Sequence, residues 1–144
     1  MTVTPQQRID TATEYYRRAD AGRPDTLDLF TEDVELYFPK FGVRRGKEAV
    51  AELAIGLIGS IASIAHDLDS FRYVSQGQTV VVEGRTSGAD QAGNTWEGGR
   101  TPGGRFASVF DFNGPLISRM SIYLDPDYAG LDADRFLWGR DRTW

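Results

Sequence analysis

Apolar residues recur at helical spacing through the first sixty residues of the chain, and this pattern predicts three helices. The first is expected over Pro5–Ala21, with Thr4 as its N-cap and Gly22 as its terminator. A short second helix is expected at Pro24–Phe30, because proline suits the first turn of a helix. The third is expected at about Lys47–Gly59, which carries one apolar face.

Beyond Ser60 the apolar period changes from helical to alternating, which is typical of β-strands. The strongest signal is a pair of alternating runs joined by Asn113–Gly114, a dipeptide that favours a tight hairpin turn. The glycine-rich stretch 88–104 is expected to be either a mobile lid or a slack connection, and residues 131–138 are a candidate closing helix. Strands are predicted at Val34–Phe38, Ile64–Val74, Thr79–Ser87, Arg105–Gly114 and Leu116–Leu124, with residues 40–46 as a loop.

This order of elements indicates one α+β domain over residues 1–144. Residues 1–60 form a helical part with one short strand, residues 61–125 form the sheet, and residues 126–144 form a tail or short helix. The predicted architecture is a curved, mainly antiparallel sheet with about three N-terminal helices packed against one face.

The charge of the chain argues against a nucleic-acid partner. The net charge is −5 and the isoelectric point is about 4.8, whereas phosphate binding needs a clustered basic face.

No stretch approaches the roughly 18 apolar residues of a membrane span, so no membrane association is expected. The chain has no cysteine and one histidine, which removes disulfides and argues against a metal site. The N-terminus carries no secretory signal, so a cytoplasmic location is expected.

Alternation along the predicted strands places a mainly apolar set of side chains on one face of the sheet, where a ligand could bind. Few polar groups can reach this face: Tyr15 or Tyr16, Tyr37, His66, Ser108 and Asp125. The candidate ligand-contacting residues are Tyr16, Phe38, Phe41, Val82, Trp96, Phe106, Ser108, Phe110, Met120, Ile122 and Leu124, of which Trp96 could instead anchor the glycine-rich stretch.

The final hairpin, the segment Tyr15–Phe30 and the turn Pro126–Asp127–Tyr128 resemble the SnoaL-like branch of the nuclear transport factor 2-like superfamily. The resemblance covers nearly the whole chain. It implies a cone-shaped domain whose interior binds a small hydrophobic metabolite and whose outer sheet face pairs two copies into a homodimer. Similar proteins isomerise ketosteroids, hydrolyse limonene epoxide, dehydrate scytalone or cyclise polyketides, and others only bind, so the fold alone does not decide the activity.

Compared position by position with these relatives, the chain retains no complete catalytic set. Tyr15 matches the helix tyrosine of ketosteroid isomerases, but Phe38 stands at the position of their base and Ser108 at that of their protonated acid. Proton abstraction from a steroid therefore lacks its carboxylate base. The water-activating set of limonene epoxide hydrolases falls on Gly84, Thr86 and Ile122.

Two residues keep a partial match. His66 resembles a histidine that begins the first long strand of scytalone dehydratases, although their second histidine falls on Gly84 here. It is either a general base or hydrogen-bond donor in the pocket, or a strand-start residue on its rim. Asp125 lies one position beyond the essential aspartate of SnoaL-type cyclases, which turns it across the sheet unless a bulge restores its direction. Otherwise it is a turn former before Pro126.

The first hypothesis is an enzyme without metal or organic cofactor that isomerises, cyclises or dehydrates a small hydrophobic metabolite. His66 or Asp125 would move the proton, and Tyr15 or Tyr37 would orient the substrate or stabilise an oxyanion. The alternative is a non-catalytic domain of the same fold that binds a small molecule or a protein.

Overall fold

The computed structural model of the protein describes residues 2–135 and 142–144. Helix α1 spans Pro5–Asp20 and begins with a reciprocal cap: Thr4 Oγ1 accepts from the backbone N–H of Gln7, and Gln7 Oε1 accepts from that of Thr4. Gly22, with φ of 64°, ends it. The predicted first helix is therefore confirmed.

The other elements are a 3₁₀ helix at Pro24–Leu29, β1 at Phe30–Phe38, β2 at Gly42–Arg45, α2 at Lys47–Ser60, β3 at Ile61–Gln76, β4 at Thr79–Asp90, β5 at Thr95–Glu97, β6 at Arg105–Asn113, β7 at Leu116–Leu124 and a 3₁₀ turn at Ala133–Arg135.

The predicted elements need correction in three places. Residues 40–46, expected as a loop, contain β2, which pairs with the end of β1. The stretch 88–104 is not a slack connection, because it holds the end of β4 and the paired strand β5. Of the candidate closing helix at 131–138, the structure has only the 3₁₀ turn at Ala133–Arg135, and residues 136–138 lie outside the described residues.

One curved, open sheet contains all seven described strands, in the order β2-β1-β7-β6-β4-β3, with β5 paired to β4. Neighbouring strands are antiparallel except β1 and β7, which are parallel. The predicted α+β class, with a mainly antiparallel curved sheet and three helical segments within the first sixty residues, is confirmed. No helix within residues 2–135 and 142–144 is long and apolar enough to cross a membrane.

The core lies between α1 and the sheet face that we call the inner face. Alternate residues of β4 and β6 are buried there, as an alternating period predicts, and β7 adds Ile117, Met120 and Ile122. From α1, Tyr16 enters the same core. The fully buried side chains include Phe30, Val34, Leu36, Val80, Val82, Ser108, Phe110, Ile117 and Met120. The opposite side of the sheet, where Tyr37 and Tyr123 lie, is the outer face.

Gly88 allows β3 and β4 to approach each other where the sheet bends. A Cβ atom at this position would lie 2.0 Å from the carbonyl oxygen of Ser63 and 2.8 Å from the Trp96 ring. Because the first of these atoms belongs to the backbone of the neighbouring strand, any side chain at Gly88 must push the strands apart.

We expect Gly88→Ala to lower the free energy of unfolding by about 1–3 kcal/mol, the usual cost of overpacking. Gly56→Ala in α2 is the matched control, because a Cβ atom there meets nothing within 4 Å. Alanine should stabilise that exposed helical position by about 0.5–1 kcal/mol. Urea denaturation measures both changes. A Gly88→Ala protein as stable as the parent would contradict the close approach of the strands.

Candidate functional site

Asp20, the last residue of α1, holds His66 of β3 by two contacts. Its Oδ1 lies 2.6 Å from His66 Nδ1, and its Oδ2 accepts a hydrogen bond of 2.7 Å from the His66 backbone N–H. The side chains of the pair are only 15% and 23% exposed for His66 and Asp20 respectively, so competition from water is limited. The two contacts together fix the position and the orientation of the imidazole ring.

This geometry decides which nitrogen of the neutral ring carries the proton. A carboxylate can only accept, so Nδ1 of His66 must donate to Asp20. The other nitrogen, Nε2, then keeps its lone pair and is able to accept a proton. An imidazole oriented by a carboxylate in this way is the arrangement that enzymes use for general base catalysis.

Asp20 does not stabilise the helix in which it lies. A carboxylate at the C-terminal end of a helix opposes the helix dipole, whereas the arginines Arg17 and Arg18 in the same turn complement it. The contacts to His66 explain why a carboxylate stands at this position. The sequence analysis missed Asp20, and an acidic residue just before a helix-ending Ala21–Gly22 was the signal that could have found it.

Aromatic rings enclose His66 on the inner face. Its ring centroid lies 4.5 Å from that of Tyr16 and 5.3 Å from that of Phe106. Phe71 packs on both of these rings, at 5.3 and 5.6 Å. Gly84 makes this possible, because a Cβ atom there would lie 2.6 Å from the Phe71 ring and 3.0 Å from the Phe106 ring. The surroundings of the imidazole are therefore apolar.

The hydroxyl of Tyr16 has Ser108 as its hydrogen-bond partner. Its hydroxyl lies 2.5 Å from Oγ of Ser108, and both residues are buried. Burial raises the pKa of Tyr16 well above its ordinary value, and the hydrogen bond with Ser108 offsets only part of that effect. Tyr16 is therefore a neutral phenol and a hydrogen-bond donor at physiological pH.

The turn that follows β7 covers the end of the inner face. Tyr128 is 9% exposed, and its ring lies 4.9 Å from that of Trp96, whose Nε1 donates to Thr86. A Cβ atom at Gly103 would lie 2.0 Å from the Tyr128 carbonyl oxygen, so loop and turn are tightly apposed. Beside Tyr128 lies a cleft of about 350 Å³, which we call the mouth cleft. Its apolar walls include Phe38, Leu57 and Ile61.

Other predicted site residues lie on or beside the inner face. Tyr15 is buried against Phe30 and Phe110, next to Tyr16 on α1. Leu124 and Phe41 are partly buried and pack on the core. Trp96 is buried behind Tyr128. The predicted inner-face residues Phe38, Val82, Phe106, Ser108, Phe110, Met120 and Ile122 are all buried.

Two of the predicted catalytic residues, Tyr37 and Asp125, lie away from the inner face. Tyr37 lies on the outer face, because its neighbours Leu36 and Phe38 are the buried ones, and its ring lies 5.5 Å from that of Tyr123. Asp125 is exposed, and its Oδ1 accepts from the backbone N–H of Asp127. Asp125 therefore acts as a turn former here. Within the described residues, no group of three or more His, Asp or Glu side chains could hold a metal ion.

The sequence pattern of the SnoaL-like domain matches residues 12–120. A nuclear transport factor 2-like protein from Anabaena variabilis is 26% identical, with a TM-score of 0.69 over 90% of this chain and 97% of that one. A proposed polyketide cyclase from Xanthomonas campestris is 19% identical, with a TM-score of 0.72 over 84% and 92%. TerC, crystallised with polyporic acid, is 18% identical, with a TM-score of 0.70 over 83% and 92%. No curated protein matches the chain.

The chain contains one histidine, so the nitrogen resonances of its imidazole can be assigned without ambiguity. In ¹⁵N-detected spectra of the neutral ring, we expect the Nδ1–H form to predominate, because Asp20 accepts from Nδ1. Asp20→Ala should remove that preference, whereas Asp67→Ala, beside His66 in sequence, should leave it unchanged. A predominant Nε2–H form in the parent protein would contradict the assigned role of Asp20.

Proposed function

This chain belongs to the SnoaL-like family, and on that premise we propose that it is an enzyme that moves protons on a small hydrophobic metabolite. The reaction is an isomerisation, cyclisation or dehydration carried out by the side chains of the inner face. The observation that carries the proposal is the contact of 2.6 Å between Asp20 and the single histidine in an apolar, aromatic setting.

In the proposed mechanism His66 is the general base. Its Nε2 accepts a proton from the substrate, and the electron pair of the broken bond moves into the substrate, onto an electron-withdrawing oxygen. Asp20 stabilises the imidazolium that forms, as a carboxylate does for a catalytic histidine. His66 then returns the proton to a second atom of the substrate or to a leaving hydroxyl group, which regenerates the neutral ring.

The aromatic setting supports a hydrophobic substrate. Tyr16, Phe71 and Phe106 surround the imidazole with ring surfaces, which favour an apolar, flat molecule over a charged one. Exclusion of water would also strengthen the interaction between His66 and Asp20. Among proteins of this fold, TerC was crystallised with polyporic acid, which supports a small organic ligand for this chain as well.

A non-catalytic binding domain is the second candidate. It is favoured by the incomplete match to each known catalytic set of the superfamily, in particular by Phe38 at the base position of ketosteroid isomerases. A binding domain and an enzyme differ in one measurable respect, because only the enzyme changes the rate at which a bound molecule exchanges protons.

Deuterium exchange at the α-carbon of 1-tetralone in D₂O tests for this proton transfer without knowledge of the native substrate. We expect the protein to accelerate exchange, and His66→Gln to reduce that acceleration by about 10²–10⁴-fold, the usual share of a general base. Asp20→Asn should act in the same direction. The matched control is Tyr123→Phe on the outer face. Bound but unexchanged 1-tetralone would favour the binding domain, and full activity of His66→Gln would overturn the role of His66.

We further propose that two copies of the chain pair through the outer face. The support lies in Tyr123, which is 48% exposed on that face and stacks on Tyr37 to form an uncovered aromatic patch. Arg119 contacts Asp111 and Glu35 beside the patch, so charged groups surround an apolar centre. This arrangement of apolar centre and polar rim is typical of protein interfaces.

Light scattering should give twice the 16.0 kDa mass of one chain. Tyr123→Glu should convert the protein to a monomer, because it places two like charges in the centre of the pairing surface. Leu131→Glu, at a residue that is 71% exposed outside the sheet, is the matched control and should remain a dimer. A monomeric mass for the parent protein at working concentration would contradict the proposal.

A further inference from the structure

The turn between β1 and β2 holds a lysine in a backbone conformation that lysine rarely adopts. Lys40 has φ of 71°, and among the described residues it is the only one other than glycine with a positive φ. The backbone N–H of Phe41 donates to the Phe38 carbonyl oxygen at 3.1 Å, so residues 38–41 form a β-turn. Proline second and a positive φ third are typical of a type II turn, which favours glycine at the position of Lys40. A lysine that replaces this glycine lowers stability, which indicates that its side chain has another role.

Lys40 lies where two clefts meet. It lines the mouth cleft and also a neighbouring cleft of about 570 Å³, and the two clefts share Pro126 and Asp127 as well. The residue is exposed to solvent. Because the side chain of lysine is a flexible four-carbon stem, its ammonium can reach the rim of either cleft.

The positive charge of Lys40 is available to a ligand. The other lysine of the chain, Lys47, pairs with Glu32 at 3.1 Å, whereas Lys40 forms no ion pair within residues 2–135 and 142–144. The carboxylates of the mouth cleft serve their own loops. Asp90 accepts from backbone N–H groups two and four residues later, both at 2.9 Å, and both oxygens of Asp127 accept from backbone N–H groups of the loop that follows.

The walls of the mouth cleft are suited to a different part of the same ligand. Phe38, Leu57 and Ile61 give it an apolar lining, and its volume of about 350 Å³ falls within the range of small-molecule pockets. An ammonium group has three N–H donors and no acceptor, so its preferred partner is an anion that accepts hydrogen bonds. An apolar cleft with such a group at its rim favours a molecule with an apolar frame and one acidic end.

We propose that Lys40 binds the carboxylate of an organic acid whose apolar ring frame occupies the mouth cleft. The acid group stays at the rim of the cleft, where water reaches it, and only the ring frame is removed from water. This binding does not require His66, so the inference goes beyond the proposed proton transfer. It adds that the small hydrophobic metabolite carries one negative charge.

Two probes of the same shape that differ in charge test this site. Calorimetry should show that 2-naphthoate binds about three- to tenfold more tightly than 2-naphthamide, as expected for one hydrogen-bonded charge pair near the surface. Lys40→Met should abolish this preference without changing the affinity for the amide, and Lys40→Arg should retain it. Lys47→Met is the matched control, because Lys47 lines neither cleft. Salt at about 0.5 M should weaken the preference.

The backbone conformation of Lys40 provides a second, independent measurement. Lys40→Gly and Lys40→Ala both remove the charge, but only glycine adopts a positive φ without the steric cost of a Cβ atom. Both variants should lose the preference for 2-naphthoate, while Lys40→Gly should have the higher urea midpoint. The loss of binding would then not be a loss of folding. A midpoint for Lys40→Gly no higher than that for Lys40→Ala would remove the cost of placing lysine here and overturn the inference.

The outcomes distinguish this inference from the proposed function. Equal affinity of the parent protein for the two probes, or a preference that persists in Lys40→Met, would overturn the role of Lys40. Failure of both probes to bind would overturn the mouth cleft as a binding site. His66→Gln should bind 2-naphthoate as tightly as the parent protein does. Binding through Lys40 without any acceleration of deuterium exchange would therefore support the acid site and contradict the proposed proton transfer.

Discussion

The hydroxyl of Tyr16 must be satisfied inside an apolar core, and the arrangement of the inner face depends on this constraint. Ser108 is the partner, so β6 must present a small polar residue opposite α1 at the one position that the hydroxyl can reach. With its hydroxyl held, the Tyr16 ring becomes a fixed surface on which His66, Phe71 and Phe106 pack. A hydrogen bond thus specifies the packing of an otherwise apolar part of the core.

Local chemistry made much of the fold predictable. The capping residue Thr4 located the start of α1, and Asn113–Gly114 located the final hairpin, where Gly114 has φ of 58°. The alternation of side chains along β1 also predicts the orientation of Tyr37. Tyr37 and Phe38 are adjacent on one strand and must point to opposite faces, so a buried Phe38 already placed Tyr37 outside. Strand β2 was missed because its four residues are mostly exposed and show no alternation.

The central pair of the candidate site could not be predicted in the same way. Asp20 and His66 are separated by 46 residues and lie on a helix and a strand, so no spacing rule connects them. Tertiary packing of α1 against β3 brings them together. The local sequence gives one indication of the pair. A carboxylate at a helix C-terminus is unfavourable, so the presence of Asp20 there indicates a contact outside the helix. An unfavourable residue at the end of an otherwise well-formed element is a clue to function that patterns of apolar residues do not contain.

Burial and the Asp20 carboxylate give the polar groups at the inner face different roles. It raises the pKa of Tyr15, Tyr16 and Tyr128, which keeps all three phenols neutral and makes them donors instead of bases. His66 is set apart from them by Asp20, which accepts its Nδ1 proton and leaves the lone pair of Nε2 available. The neutral phenol of Tyr16 and the imidazole of His66 therefore lie side by side. General base chemistry needs a proton acceptor, and Asp20 is the residue that leaves Nε2 of His66 free to act as one.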